Sequence, residues 1–206
     1  MRFRLLTIAL IVAGLGGCAG MGLSEQQRGA QAADVRARLG LAGCDAGLVD
    51  QILPLRNPAL EQEAAFACLQ QGELRAVERL LSGYNERHVD PPFPDYSDYL
   101  LALSDLVRFE AAVGDDRERL VLGRRAHERL AQFVRAYPNS AYRSEVAPRL
   151  EQLHEGMARA EYQLAQLALE TQAREEGIAR LRYVVEQYPR SAAARDAARW
   201  LEHNRP

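Results

Sequence analysis

The sequence predicts an all-α protein built from stacked helical hairpins. Apolar residues recur at helical spacing along most of the chain, and turns rich in Gly, Pro and Asp separate these stretches. No convincing run of alternating β-branched residues, the pattern of a half-buried strand, interrupts them. Two segments repeat each other, since FVRAYPNSAY at 133–142 and VVEQYPRSAA at 184–193 both end an apolar helical pattern with Tyr-Pro and a following Ser. Because each hairpin leaves an apolar face uncovered, such a repeat predicts a continuous array.

The first 17 residues predict a lipoprotein signal peptide. MRFRLLTIALIVAGLGGCAG opens with Arg2 and Arg4, continues as a short apolar run, and reaches small residues directly before Cys18. The run is too short to cross about 30 Å of hydrocarbon as a permanent helix, so a cleaved leader is favoured over a membrane span. Leu15-Gly16-Gly17-Cys18 resembles the lipobox of bacterial lipoproteins, in which the cysteine becomes the acylated first residue. An ordinary signal peptide with a chance cysteine is the alternative.

Residues 18–57 predict an anchor leader and a short irregular or helical segment, with a polar stretch from Met21 to about Arg38. By resemblance to sorted lipoproteins, Ala19 lacks the acidic character that retains such proteins in the inner membrane. This indicates a lipid anchor on the periplasmic face of the outer membrane. Without the two arginines of the leader, the chain keeps 24 Arg against 28 acidic residues, a net charge of about −4. No basic stripe follows from this balance, so we expect no nucleic-acid partner.

Cys44 and Cys68 form an even pair in what the signal peptide indicates is an oxidising compartment. A disulfide between them would close a loop of about 25 residues and contribute roughly 3.5 kcal/mol by the loop-entropy relation. Two separate buried thiols are one alternative, and a periplasmic redox protein that uses both cysteines is another. No CxxC motif is present, and no histidine lies near either cysteine in sequence.

The first predicted hairpin is EQEAAFACLQQGELRAVERLLSGY at residues 61–84. A turn at Gly72 separates two apolar patterns of helical spacing, and VDPPFPDY at 89–96 terminates the second. The positions that form the two patterns are Ala64, Ala65 and Cys68 before the turn, and Leu74, Val77, Leu80 and Leu81 after it.

Pro138 and Pro189 each predict the end of the second helix of a further hairpin. Proline lacks the backbone N–H and clashes with the carbonyl one turn back. Counting back twelve, eight and five residues from either proline gives a small, a large and a large apolar residue. This spacing resembles the tetratricopeptide (TPR) repeat, in which the small residue lets two helices approach closely. The positions are Ala126, Leu130 and Phe133 before the first proline, and Gly177, Leu181 and Val184 before the second.

One long helix near residues 148–171 is predicted between these two hairpins. Their prolines are 51 residues apart, which exceeds the usual TPR period of about 34. Apolar residues recur in alternating steps of four and three across Gly156, which keeps them on one helix face. Pro148 suits the first turn of this helix, where a missing N–H costs little. The apolar stripe contains Val146, Leu150, Leu153, Met157, Ala160, Leu164 and Leu167.

The sequence contains no recognisable catalytic or metal constellation, so neither an enzyme nor a cofactor is predicted. The four histidines are scattered, and His154 lacks the second histidine that a zincin helix needs. No Ser or Cys lies in a GxSxG elbow, and no Gly-rich phosphate loop occurs.

With these residues placed, the chain resembles a BamD-type lipoprotein, the TPR component of the outer-membrane β-barrel assembly machinery. The resemblance covers roughly residues 60–200 and indicates a TPR domain at 58–206. Besides the lipobox, it rests on GELRAV at 72–77, PDYSDYLLAL at 94–103, RAHERLAQFVRAYPNSAY at 125–142, AEYQLAQLAL at 160–169 and YPRSAAARDA at 188–197.

The resemblance implies a non-enzymatic scaffold. In that family the C-terminal repeats hold a periplasmic domain of the barrel-inserting subunit, and other assembly lipoproteins are further partners. In that family an arginine in the second helix of the last repeat, eight residues before the Tyr of Tyr-Pro, contacts the partner. The matching residue in this chain is Arg180. The N-terminal repeats of the family are associated with substrate recognition, and the segment before residue 60 is too short for them here. A TPR lipoprotein of pilus biogenesis, or of envelope and division coordination, is the alternative within the scaffold class.

Side chains on the first helices of the hairpins are further candidates for partner contact. The concave face of a TPR array uses such side chains to hold an extended or helical segment. On this basis Tyr99, Leu103 and Tyr162 are predicted contacts, and packing between helices is the alternative role for the tyrosines.

Overall fold

The computed structural model describes residues 24–204, and the predicted all-α class is confirmed there. A short 3-10 helix, Leu53–Leu55, lies between the α-helices Ala46–Ile52 and Pro58–Gln70. Residues 1–23, which include Cys18 and the predicted signal peptide, and residues 205–206 lie outside the described part. The α-helices of residues 24–204 are α1 (Glu25–Ala42), α2 (Ala46–Ile52), α3 (Pro58–Gln70), α4 (Leu74–Leu81), α5 (Tyr84–Arg87), α6 (Pro94–Ala111), α7 (Asp116–Ala136), α8 (Arg143–Glu170), α9 (Arg174–Gln187) and α10 (Ala192–His203).

Three hairpins stack in chain order to form the array. α3 packs on α4, α6 on α7, and α8 on α9, while α10 packs against both α8 and α9. Contacts of α4 with α6 and of α7 with α8 join successive hairpins. The three hairpins predicted from the sequence are therefore present and consecutive.

Tyr137-Pro138 and Tyr188-Pro189 end the second helices as predicted. α7 and α9 both stop at the residue before the tyrosine, and the N–H of each tyrosine closes the last turn on the carbonyl four residues back. After the second site Ser191 caps α10, because its hydroxyl accepts a hydrogen bond from the N–H of Ala194 at 3.0 Å. The chain therefore reverses direction within a few residues of each proline.

The core consists of three hydrophobic clusters arranged along the array. The first is formed by α1 to α5 with the first half of α6, the second by α6, α7 and α8, and the third by α8, α9 and α10. The first two clusters draw side chains from two neighbouring hairpins, and the third adds α10 to α8 and α9, so no hairpin holds its core alone. The predicted repeat positions lie inside these clusters, where Ala126, Leu130, Phe133, Leu181 and Val184 are all buried.

The long helix α8 is continuous across Gly156, as predicted, but it begins at Arg143 rather than near Pro148. The prediction that Pro148 lies in the first turn is wrong, since Pro148 is inside the helix. Hydrogen bonds from the N–H of Arg143 to the carbonyl of Ser140, at 3.2 Å, and from that of Glu145 to Tyr142, at 3.0 Å, start the helix upstream. The proline is exposed, so water can solvate the carbonyl that loses its intrahelical partner.

The polar stretch at 21–38 is helical from Glu25 onward, as the first part of α1. A capping box forms at its start, because the N–H of Gln27 donates to the Ser24 hydroxyl at 3.3 Å and the Gln27 side chain accepts from the N–H of Ser24 at 2.9 Å. Ala32 and Val35 of this helix are buried in the first cluster. The segment predicted as a leader therefore completes the core at the N-terminal end of the array.

A disulfide joins Cys44, just after α1, to Cys68 of α3, with the Cα atoms 5.0 Å apart. Both residues are buried, and the N–H of Cys44 donates to the side-chain carbonyl of Gln71 at 2.8 Å. A buried bridge of this kind suits a structural role. The alternative of a redox protein that uses these cysteines therefore finds no support in the structure.

We expect the Cys44–Cys68 bridge to stabilise the fold by limiting the unfolded chain. The bridge spans 24 residues of sequence, so replacing both cysteines by serine should lower the free energy of unfolding by roughly 3.5 kcal/mol. Urea unfolding of the double variant and of the parent measures this difference. An unchanged midpoint of urea unfolding would contradict the stabilising role of the disulfide.

Gly156 tests the packing of α8 on α6. A Cβ at this position would lie 2.6 Å from Cζ of the buried Phe109, so Gly156→Ala should destabilise the protein by about 1–3 kcal/mol. The steric cost outweighs the gain in helix propensity, which is at most about 1 kcal/mol. Gly29→Ala in α1 is the matched control, because nothing lies within 4 Å of its added Cβ, and it should stabilise. Equal effects in urea unfolding would refute this packing.

Candidate interaction surface

The second helices of the three hairpins share a short pattern, AVERL at 76–80, AHERL at 126–130 and GIARL at 177–181. In each, an arginine precedes a leucine that is fully buried. Neighbouring positions on a helix are about 100° apart, so the leucine enters the core while the arginine reaches a carboxylate on another helix. The arginines are Arg79, Arg129 and Arg180. Sequence analysis identified only Arg180, although the repeated Arg-Leu pair is the signal for the other two.

Asp105 of α6 is the buried carboxylate between the first two hairpins, with 1% of its side chain exposed. Arg129 Nε lies 3.0 Å from Oδ2, while Arg125 Nε and Arg108 Nη1 lie 3.1 and 2.9 Å from Oδ1. Glu78 of α4 accepts hydrogen bonds from Arg108 at 2.9 Å and Arg125 at 2.7 Å. Burial acts to raise the pKa of Glu78, but the hydrogen bond from Arg125 and the charges of Arg108, Arg125 and Arg129 outweigh it and lower the pKa. Three guanidinium groups thus link α4, α6 and α7 through two carboxylates.

Glu161 of α8 repeats this arrangement at the next junction, with 6% of its side chain exposed. Arg180 Nη1 donates to Glu161 Oε2 at 2.8 Å, and Arg124 Nη2 lies 3.7 Å from Oε1. Arg180 Nε also donates to Glu176 on its own helix at 3.1 Å. The Arg180 side chain is 29% exposed. The predicted contact residue is therefore held by a buried carboxylate while part of it remains in solvent.

A cavity of about 230 Å³ lies between α7, α8 and α9, and it shares Arg124 with the Glu161 junction. The rings of His127 and His154 stack in its wall with centroids 5.0 Å apart, and Tyr188 meets His154 edge-on at 6.2 Å. Burial, His127 and Arg190 lower the pKa of His154, which favours the neutral ring. Aromatic side chains beside an arginine are typical of protein interfaces. We call this cavity, together with the adjoining Glu161 junction that holds Arg180, the C-terminal groove.

The predicted contacts on the first helices lie mostly inside the protein. Tyr99 is only 4% exposed, because it stacks on Tyr142 with ring centroids 4.7 Å apart and its hydroxyl donates to Glu145 at 2.5 Å. Burial and this hydrogen bond raise the pKa of Tyr99 to about 12. Tyr99 therefore packs between α6 and the start of α8, which is the alternative role considered for it, and its contact with a partner stays a prediction. Leu103 and Tyr162 are half-buried and pack against the second and third clusters.

Stacked helical hairpins with a partly exposed aromatic and basic groove define the class of repeat scaffolds that bind other proteins. None of the helices between residues 24 and 204 is long and apolar enough to cross a membrane. A family model described as outer membrane lipoprotein (YfiO) matches residues 56–205. The chain therefore belongs to the YfiO family of outer membrane lipoproteins. No curated protein matches it.

Asp105 tests whether the buried charge network holds the hairpins together. Asp105→Asn removes the charge that three guanidinium groups face, so the free energy of unfolding should fall by about 3–5 kcal/mol. Asp196→Asn removes a half-exposed partner of Arg199 in α10 and should cost less than about 1 kcal/mol. Urea unfolding compares the two variants. A similar small loss in both would show that the network contributes nothing specific.

Proposed function

We propose that this chain is a non-enzymatic, lipid-anchored adaptor in the assembly of outer-membrane β-barrel proteins. The C-terminal groove carries this proposal, because it lies within the part of the chain that matches the family and holds Arg180 at a fixed position. The partner we propose for it is the periplasmic domain of the barrel-inserting subunit. Other assembly lipoproteins would bind elsewhere on the array.

The contacts of Arg180 explain how it would receive a partner. Its Nη1 is held by the buried Glu161, whereas its Nε pairs with Glu176, whose side chain is 54% exposed. An exposed pair four residues apart on a helix is worth only about 0.3–0.5 kcal/mol. A carboxylate of the partner can therefore replace Glu176 while Glu161 keeps the guanidinium in place. Since the arginine is already ordered, little side-chain entropy is lost on binding.

A lipid anchor at Cys18 would place this scaffold at the periplasmic face of the outer membrane. Two or more acyl chains make such an anchor stable, whereas a single chain binds only marginally. Residues 24–31 of α1 and its cap are exposed on every side, with the core contacts of the helix beginning at Ala32. The start of α1 thus projects from the array toward the proposed anchor.

The role of Arg180 is tested by comparing it with its counterpart in the preceding hairpin. Arg180→Gln should weaken binding of the purified periplasmic domain of the barrel-inserting subunit by about tenfold or more, because a desolvated charge pair is lost. Arg129→Gln is the matched control, since Arg129 has the same side-chain exposure of 29% and also pairs with a buried carboxylate. It should change the dissociation constant by less than about twofold, as expected away from the contact.

Thermal unfolding of both variants shows whether each remains folded at the temperature of the binding assay. An equal loss of affinity in the two folded variants would show that Arg180 makes no specific contact with the partner. If the parent itself does not bind this domain but retains a pilus-biogenesis or division protein from the envelope, the adaptor would belong to that other group of TPR lipoproteins.

A further inference from the structure

The loop between α5 and α6 exposes two apolar side chains, and two of its residues adopt an unfavourable backbone conformation. Val89 is fully exposed and Phe93 is 71% exposed. Phe93 has a φ of 47° and Asp90 a φ of 52°, in the left-handed region that residues other than glycine rarely occupy. Neither apolar side chain contributes to a core cluster of the described residues. The stability of the core therefore does not account for this conformation.

Buried polar groups hold the loop in place. Gln62 of α3 is only 5% exposed, and its Nε2 lies 2.9 Å from the carbonyl oxygens of both Pro92 and Phe93 and 2.8 Å from Ser97 Oγ. The hydroxyl of the buried Tyr84 lies 3.5 Å from the carbonyl oxygen of Pro92. Because the loop is already ordered, Val89 and Phe93 can dock on another surface with little loss of conformational entropy.

A cavity of about 410 Å³ opens beside this loop, since His88 lines it and Val89 is the next residue. Its side chains come from the start of the 3-10 helix and the residue that follows this helix, from α3 and α4, and from the last residue of α5 and the one after it. The residues that line it are Leu53, Arg56, Glu61, Arg79, Arg87 and His88.

The cavity is electropositive on a protein whose overall charge is negative. Glu61, 1% exposed, accepts a hydrogen bond from Arg87 at 2.8 Å and lies 3.0 Å from His88 Nε2. Arg79 is paired with Asp50 of α2. The three arginines of the lining exceed these two carboxylates by one positive charge, with histidine counted as neutral. Arginine presents a planar fork of donors that matches a phosphate group.

We propose that this cavity and the Val89–Phe93 loop form a second membrane contact, which we call the membrane-docking face. The arginines bind the phosphate of a phospholipid head group, and Val89 and Phe93 enter the boundary with the acyl chains. Basic groups beside exposed apolar side chains are the combination that binds lipid surfaces. Asp90, the acidic residue of the loop, brings the formal charge of the whole face to zero, so the positive charge is confined to the cavity. The inference rests on the membrane location proposed above.

The test uses the chain from residue 18 onward, which contains every described helix, with Cys18→Ser so that no acyl chain is attached. Cosedimentation with vesicles of phosphatidylethanolamine and phosphatidylglycerol measures the partition coefficient of this protein between water and the vesicles. Phe93→Asn removes the ring and suits the left-handed backbone, and it should lower the partition about tenfold or more. Arg56→Gln should lower it about fivefold, and inorganic phosphate should compete better than chloride at equal ionic strength.

Two matched controls accompany these variants. Val113→Asn removes another exposed apolar residue, 80% exposed in the turn between α6 and α7, and Arg75→Gln removes an exposed arginine of α4 that does not line the cavity. Both should leave the partition unchanged. Equal losses in controls and test variants, or no binding of the parent to vesicles, would overturn the membrane-docking face. So would phosphate binding without vesicle binding, which would indicate a site for free phosphate. None of these results affects the adaptor role, which is measured in solution.

Discussion

A helical hairpin buries only one of its two apolar faces, and the architecture of this chain follows from covering the other. Neighbouring hairpins share the first two core clusters, and the array has two ends that need a cover. At the C-terminal end α10 packs on α8 and α9. At the N-terminal end α1 and α2 complete the first cluster, and the Cys44–Cys68 bridge ties them to α3. Within residues 24–204, the disulfide therefore lies at the end of the array that α1 and α2 cover.

Buried carboxylates define how the hairpins meet. Asp105 and Glu161 lie on the first helices of the second and third hairpins, and arginines connect each to the hairpin before it. Arg108 and Arg125 pair with both Asp105 and Glu78 of α4. Arg124 of α7 lies 3.7 Å from Glu161. Apolar contact alone is not directional, so it allows neighbouring hairpins to slide or rotate. A charge left without its partner in the core costs several kcal/mol, which penalises every such displacement. We infer that these ion pairs contribute more to a single arrangement of the hairpins than to total stability.

The positions of the hairpins were predictable because proline and helical periodicity act locally. The start of α8 was not, since it depends on hydrogen bonds from a turn that precedes Pro148. Periodicity places Tyr99 on a face of α6 but does not show what covers that face. In the structure, the ring of Tyr142 covers Tyr99. Likewise His127 and His154 are 27 residues apart in sequence, and only the packing of α7 on α8 brings their rings together. By contrast, the role of Arg129 could have been predicted, because its Arg-Leu pair repeats that of Arg180.

The two proposed surfaces differ in their relation to the family. The C-terminal groove lies wholly within residues 56–205, the part that matches the family model. The arginine cavity lies at the boundary of that match, since Leu53 precedes it and Arg56 begins it. Asp50, which pairs with Arg79, also comes from the N-terminal segment. The membrane-docking face is therefore completed by α2 and the 3-10 helix, the same segment that covers the exposed end of the array. Loss of this segment would uncover the first cluster and dismantle the cavity together, so in this chain the cover of the core and the proposed lipid contact depend on each other.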